Sequence, residues 1–347
     1  MPLPLYKKPQ SSILKIIGIA AGKGGVGKSF LACNLARAIQ KKGKKVGLLD
    51  ADLYGPSLKK MMPAEKGAHR MNERWVPALS EGIPLLSFAY FAQENEALSV
   101  RAPIATKLID QFLNQTDWGP LEYLLIDFPP GTGDIPLTVS QKVRLEGVLL
   151  VTTPQEIALA DVRRAAKAFL EMGVPLLGVI ENMSYFIDAS GNTHYPFGKK
   201  GGALLAEELK IPLLAEIPLD ARLSHLSDKG QSLFEENPLQ DIQNLFYTIA
   251  ETTFQLDIKK EILKIAPHGP DSFYINWADG LKQRFSLAEF QTLCPCASCQ
   301  GKGVVYEPAR AIGILEAGRY ALKIDYEKGC KNGIYTYEFL KKVGKPL

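Results

Sequence analysis

No run of this 347-residue chain is apolar for long enough to cross a bilayer, and its opening, Met-Pro-Leu-Pro-Leu-Tyr-Lys-Lys, lacks the apolar core of a secretory signal. No tract gathers charge of one sign. A formal net charge of +4 is too small and too dispersed to argue for nucleic acid, and Lys41, Lys42, Lys44 and Lys45 read as a solvated helix end. Internal repeats and low-complexity tracts are absent as well. Cysteine is scarce: there are five, and four of them lie after residue 290. With no leader and no membrane span the chain is expected in the cytoplasm. Thiols stay reduced there, and a tight group of them signals metal instead of disulfide. Cys33 stands apart from the group and reads as core.

What is present is an ordinary globular composition, 46% hydrophobic and 22% charged, in a chain long enough for one large domain and a small one. Its most informative segment is Gly-Lys-Gly-Gly-Val-Gly-Lys-Ser at 22–29, which fits the phosphate-binding pattern G-x-x-x-x-G-K-[ST]. Gly22, Gly24, Gly25 and Gly27 let backbone N–H groups converge on phosphates. Lys28 supplies a point charge, and the Ser29 hydroxyl is a ligand for Mg²⁺. Before it, Ile13 to Ala20 is an apolar, β-branched run suited to a buried parallel strand. After it, Ser29 to Lys42 has helical periodicity and ends at Gly43, where a helix-terminating glycine belongs. That order places a helix N-terminus and its dipole against an anion.

Further on, apolar runs at Lys45–Asp50, Ile83–Ala89, Leu121–Asp127, Gly147–Thr153, Pro175–Asn182 and Ile211–Ile217 read as buried strands. Amphipathic stretches such as Ile104–Asn114, Ala158–Met172 and Gly202–Lys210 lie between them, and a last helix from about Pro238 to Phe254 closes the unit. This alternation predicts an α/β fold: a doubly wound, mostly parallel sheet of the P-loop NTPase type. The rhythm then changes. Ser272–Asn276, Arg284–Ser286 and Tyr320–Tyr326 are short strands set among turn signals, so residues 1–257 are assigned to an ATPase domain and 258–347 to a small metal-binding α+β domain.

Three strand ends carry further chemistry, at the edge where open α/β sheets bind ligands. Asp50 and Asp52 close one strand and are candidates for holding Mg²⁺ or orienting water; a capping role explains one of them but not both. Asp127 precedes Pro-Pro-Gly-Thr-Gly-Asp, placed like a Walker-B carboxylate ahead of a γ-phosphate switch at Gly131–Gly133. Asn182, in Glu-Asn-Met-Ser, has donors and an acceptor suited to an adenine edge.

Lys23 within the phosphate loop is the "deviant" signature of the nitrogenase-iron-protein, septum-site and partition ATPase class. With Asp50-Ala-Asp-Leu-Tyr-Gly-Pro-Ser, Asp127-Phe-Pro-Pro-Gly-Thr-Gly-Asp and Glu181-Asn-Met-Ser, residues 13 to 250 resemble the Mrp/ApbC family of ATP-dependent iron–sulfur cluster carriers and scaffolds. The resemblance implies an ATP cradle of Gly22, Gly24, Gly25, Val26, Gly27, Lys28, Ser29 and Phe30, with Asn182 at the base. Mg²⁺ would lie among Ser29, Asp50, Asp52 and Asp127, and Asp52 would position the water. Lys23 would reach the nucleotide of a second copy, so a homodimer closing on ATP, with slow hydrolysis, is expected. Apo iron–sulfur proteins and the cluster-assembly machinery are the expected partners; nucleic acid and membrane are not. A partition or membrane-positioning ATPase is the competing class, but the tail Tyr337-Glu-Phe-Leu-Lys-Lys-Val-Gly-Lys-Pro-Leu is too short and broken to be an amphipathic anchor.

The chain departs from that family in one place. Most members carry Cys-x-x-Cys shortly after Asn-Met-Ser, where two subunits hold a [4Fe–4S] cluster; here Tyr185 to Gly198 contains no cysteine. Asp188 and His194 read as solvated loop residues in preference to substitute ligands. The small N-terminal domain of many relatives is not expected either, since about a dozen residues precede the first strand.

Cys294, Cys296 and Cys299, in C-x-C-x₂-C, with Cys330 after a strand that can fold back, form a plausible all-sulfur set for Zn²⁺ or an iron–sulfur cluster. In so small a domain the metal supplies much of the folding energy, on the order of 10 kcal/mol. Trp277-Ala-Asp-Gly, Cys294-Pro-Cys-Ala-Ser-Cys and Gly329-Cys-Lys-Asn-Gly-Ile-Tyr resemble the small zinc-binding domain at the start of γ-butyrobetaine hydroxylase, with Cys330 where a histidine is expected. The two-part layout is similar to that of the plastid scaffold serving photosystem I, which likewise lacks the Cys-x-x-Cys.

Overall fold

Strand β1, Lys15–Ala21, is apolar on both faces and buried along nearly its whole length, as a central parallel strand must be when helices cover both sides of its sheet. The computed structural model describes residues 13, 15–53, 55, 57–91, 102–235, 239–255, 262–296, 298–299, 303–317, 321–330 and 333–347. Contacts divide the chain into two units, Ser11–Leu256 and a second that contains Asp257–Leu347.

In the first unit β1 is joined by β2 (Val46–Asp50), β3 (Ala78–Ser80), β4 (Ile83–Leu86), β5 (Tyr123–Asp127), β6 (Leu145–Thr152), β7 (Leu176–Asn182) and β8 (Leu213–Ile217). They make an eight-stranded sheet in the order β8-β7-β6-β1-β5-β2-β4-β3, parallel except for the edge strand β3. The strand order reverses beside β1, so the ends of β1, β2, β5, β6 and β7 gather along one edge of the sheet, where ligands bind in such folds. The longer helices of the unit are α1 (Lys28–Lys41), α2 (Ala102–Asn114), α3 (Asp134–Lys142), α4 (Glu156–Glu171), α5 (Gly201–Leu209), α6 (Ala221–Lys229) and α7 (Gln240–Phe254). The core includes Leu49, Phe112, Leu124, Ile126, Phe128, Val148, Leu150, Val162 and Phe169, all essentially inaccessible.

Several elements of the first unit differ from the sequence expectation. The run Ile83–Ala89 ends as a strand at Leu86, because the Ser87 hydroxyl accepts from the Ala89 N–H and starts a 3-10 turn over Phe88–Tyr90. Helix α3, directly after the Pro-Pro-Gly-Thr-Gly turn, and helix α6, capped by the Asp220 carboxylate, were not among the expected elements. The expected start of the last helix at Pro238 and the boundary between 257 and 258 lie outside the described residues.

The second unit pairs β9 (Ile262–Pro267), β10 (Ser272–Trp277) and β11 (Lys282–Ser286) with the short Lys345–Pro346 strand in one antiparallel sheet. A second sheet holds β12 (Ala311–Ala317), β13 (Ala321–Tyr326) and β14 (Ile334–Thr336). Helices α8 (Leu287–Thr292) and α9 (Tyr337–Val343) complete an aromatic core of Phe273, Phe285, Phe290, Tyr326 and Tyr335. The expected doubly wound, mostly parallel α/β sheet and the separate small unit built on antiparallel sheets are both present.

In the first unit Phe246 on α7 is fully buried and meets Phe30 and Phe234 edge-on at centroid distances of 6.0 and 6.4 Å. Phe246→Ala is expected to cost about 3–5 kcal/mol of unfolding free energy in urea titration, the range for removing an inaccessible phenyl ring.

Candidate functional site

The segment between β1 and α1 closes through two left-handed glycines, Gly25 (φ 80°) and Gly27 (φ 84°). Gly27 is the residue that caps α1, and it has no side chain with which to satisfy the first-turn N–H groups. A helix end left open in this way is ready for an anion. The loop is also held from outside. A Cβ on Gly22 would lie 2.1 Å from the Asp161 carbonyl carbon of α4, and one on Gly27 would lie 2.2 Å from Asn182 Nδ2. Both positions admit only glycine. Gly24 meets nothing, and Val26 is buried.

The sequence suggests Asn182 as an adenine contact. The structure commits one of its amide hydrogens to the Val26 carbonyl at 2.8 Å, where it braces the phosphate loop. An adenine edge would meet the remaining amide hydrogen and the carbonyl. Phe30 turns its ring into the packing against Phe246, so a contribution to a phosphate site comes through its backbone N–H.

At the floor of the loop Lys28 Nζ donates to Asp127 Oδ1 at 2.6 Å, with Lys28 7% exposed and Asp127 wholly buried. Ser29 Oγ lies 3.4 Å from the same ammonium. Asp50 and Asp127 are register partners on β2 and β5, so two buried carboxylates stand side by side at the sheet edge. Burial, and then the neighbouring Asp127 charge, push Asp50 well above the usual carboxylate range. Burial also raises Asp127, while Lys28 draws it back down. Asp127 Oδ2 is buried and has no partner among the described residues. An orphaned carboxylate oxygen beside a second carboxylate and a phosphate loop is a donor set that fits a hard divalent cation.

Asp52 is half-buried; its N–H donates to Asp50 Oδ1 at 3.1 Å and its Oδ1 accepts from the Gly55 N–H at 3.2 Å. Lys23 donates to Gln155 Oε1 at 3.3 Å within the same chain. The Gly131–Gly133 turn is tied to the end of β1 by Gly131 N–H to Ala21 O at 2.9 Å. Behind it lies a cavity of about 240 Å³ lined by Thr132, Leu137, Phe169 and Met172 among others.

The residues after Asn-Met-Ser form a short hairpin, Phe186–Ile187 against Thr193–His194. Asp188 accepts from the backbone of Ser190 and Asn192 and lies 2.7 Å from His194 Nε2. Hydrogen bonding to His194 first, then to Asn192, holds the Asp188 carboxyl down at about 2. The pair organises an exposed turn and belongs to no group of three or more metal-binding side chains among the described residues.

Such a group exists in the second unit. Cys294, Cys296, Cys299 and Cys330 place their sulfurs within 4.8 Å of one another, with Cys294 buried and the others half-buried. Cys296 and Cys330 are 3.4 Å apart. Hydrogen bonding from Cys330 draws Cys296 down to about 6, whereas bonding to Cys296 and Cys330 pushes Cys299 up to about 12. Cys33 is buried on α1, and burial pushes its thiol far up.

Sequence reasoning missed Gln291, which binds the cysteine-bearing segments together. Its buried side chain donates to Lys328 O at 2.8 Å and accepts from the Tyr306 N–H at 2.9 Å, while its own carbonyl accepts from the Cys294 N–H at 3.4 Å. A glutamine at the end of an amphipathic helix carries no signal of this in the sequence.

Comparison with known proteins follows the same division. Residues 12–254 match the ParA-type family of NUBPL iron-transfer P-loop NTPases, and residues 268–341 match the γ-butyrobetaine hydroxylase-like N-terminal domain. An iron–sulfur cluster carrier protein of Aquifex aeolicus is 40% identical over 258 residues, covering 73% of this chain and 71% of the relative. The chloroplastic Fe–S cluster assembly factor HCF101 of Arabidopsis thaliana is 40% identical over 248 residues, 71% of this chain and 46% of that protein. Among solved structures, a nucleotide-binding protein of Archaeoglobus fulgidus in complex with ADP is 37% identical and covers 65% of this chain and 90% of its own, with a TM-score of 0.57. No helix among the described residues is long and apolar enough to cross a membrane.

Gln291→Leu keeps the volume but abandons the Lys328 carbonyl and the Tyr306 N–H. It is expected to weaken metal retention at the four cysteines about 10- to 100-fold, as loss of a group supporting the ligands does; competition with a metallochromic chelator measures this.

Proposed function

The chain belongs to the NUBPL iron-transfer P-loop NTPase family, and on that footing we propose that it is an ATP-driven iron–sulfur cluster carrier that delivers clusters to apoproteins. The observation that carries the reading is the Lys28–Asp127 contact at the open end of α1. A lysine held on a carboxylate under an uncapped helix terminus is a charge waiting for a better anion. Triphosphate entering the loop draws Lys28 off Asp127 and releases Oδ1 to act beside Oδ2, already without a partner among the described residues.

Ser29 and Asp127, with Asp50 behind them, would then hold Mg²⁺, which supplies charge neutralisation on the phosphate oxygens. Asp52, exposed enough to meet solvent and tethered to Asp50, positions the attacking water. The Gly131–Gly133 turn, tied to β1 and backed by a cavity, responds to the terminal phosphate. Lys23, bonded to Gln155 in its own chain, leaves that partner to reach the nucleotide of a second copy, so hydrolysis is slow and linked to a closing homodimer. Residues 1–257 carry this nucleotide work and 258–347 the metal chemistry, in a cytoplasmic protein whose partners are apoproteins and the cluster-assembly machinery.

The cargo ligands in this reading are Cys294, Cys296, Cys299 and Cys330, because Cys33 is buried and unavailable. One observation favours a second reading of these four residues. Tetrahedral zinc with bonds of about 2.3 Å separates its sulfurs by about 3.8 Å, and the spacing here, within 4.8 Å, suits a single ion. A four-iron cube interposes iron atoms and spreads its thiolates farther apart. On that reading zinc stabilises a docking domain, and the chain is a nucleotide switch acting on its partner.

Lys28→Ala is expected to abolish ATP uptake in calorimetry; undiminished uptake would remove the site. Anaerobic purification with iron, sulfide and zinc quantified per chain separates the two readings of the thiols. Iron and sulfide together, with visible colour lost in air, support cargo at the cysteines. One zinc per colourless chain moves the assignment to the docking domain. In either case Cys296→Ser is expected to strip the metal.

A further inference from the structure

We infer that Ser87 is the positioning residue of the divalent-cation site; the inference rests on the nucleotide-site reading above. Ser87 follows the last residue of β4, and it is wholly buried at the sheet edge. Its hydroxyl donates to Asp50 Oδ2 at 2.9 Å, while the same oxygen accepts from the Ala89 N–H at 3.2 Å. Accepting from Ala89 fixes the hydroxyl rotor, so its one proton is directed at Asp50.

The consequence lies in how Asp50 is surrounded. Its other oxygen accepts the Asp52 N–H at 3.1 Å, and its register partner is Asp127. Lys28 is bonded to Asp127 and not to Asp50. Asp50 therefore stands inaccessible beside a like charge, with the neutral Ser87 hydroxyl and Asp52 N–H as hydrogen-bond donors to it. Of those two donors the Asp52 N–H belongs to the next turn of backbone and comes with any side chain there. Ser87 is the one that a side chain supplies. It holds the Asp50 carboxylate in the orientation from which Asp50 acts with Asp127 and Ser29 on the cation, without touching nucleotide itself. The same hydroxyl ends β4 and starts the Phe88–Tyr90 turn, which ties the carboxylate's orientation to the backbone of a fourth strand.

A hydrogen bond to a charged group is worth about 1.5–3 kcal/mol, which corresponds to a factor of about 10 to 150. The test measures nucleotide uptake by full-length protein in calorimetry, across a series of Mg²⁺ concentrations and in excess EDTA. The variants are Ser87→Thr, which keeps the hydroxyl, and Ser87→Ala and Ser87→Cys, which remove or weaken the donor. Thermal unfolding checks that each is folded, and if Ser87→Ala does not fold, Ser87→Cys serves as the donor-loss variant. The expected result is that the donor-loss variants need at least about tenfold more Mg²⁺ for half-maximal uptake. Uptake in EDTA stays at the wild-type level, and Ser87→Thr restores the Mg²⁺ response. Mg²⁺ curves that superimpose on wild type, or uptake that falls equally in EDTA, would overturn the inference. If the wild-type protein itself shows no Mg²⁺-dependent uptake, the nucleotide-site reading fails first.

Discussion

The first unit is organised around a buried ion pair that would be costly anywhere else. Lys28 and Asp127 lie almost entirely out of water, 2.6 Å apart, with Asp50 as a second buried carboxylate in register beside them. Removing charges from water is repaid only where geometry and hydrogen bonding are good. Here they are incomplete, since one Asp127 oxygen has no partner among the described residues. A core made for stability alone would not keep that arrangement. A site whose missing partners arrive with a ligand would, and the rest of the sheet can be understood as holding those groups at one edge.

Each neighbouring strand contributes one constraint to that edge. β1 delivers the glycine loop, which α4 pins at Gly22 and Asn182 pins at Gly27. β2 and β5 deliver the carboxylates, and the residue after β4 delivers the hydroxyl that orients one of them. The end of β6 leads to Gln155, which receives Lys23. Polar groups this close to the core are tolerated because nearly all of them bond to one another. The parallel sheet beneath, buried on both faces, leaves the strands little freedom to adjust.

The second unit solves a different problem. Its two small sheets and two short helices enclose an aromatic core, but the loops bearing cysteine have little regular structure to fix them. Gln291 fixes them from the helix side, and a metal held by the four sulfurs would fix them from the loop side. Convergence of four sulfurs within 4.8 Å shows that the backbone already approaches the geometry a single tetrahedral ion imposes.

Read as a sequence, the chain disclosed whatever is local: the glycine octet with its lysines, carboxylates that end apolar runs, the grouped cysteines, and the alternation that builds a parallel sheet. Those signals are short because phosphate loops and metal knuckles are built from consecutive residues. Other features depend on partners far along the chain and had no local mark. Asn182 spends an amide hydrogen on a carbonyl 156 positions away, and Ser87 and Gln291 are single polar residues whose importance is a matter of what lies opposite. The sequence alone determined which chemistry is present. Tertiary structure decided which groups face one another, because burial and hydrogen-bond geometry are properties of pairs that only the folded chain brings together.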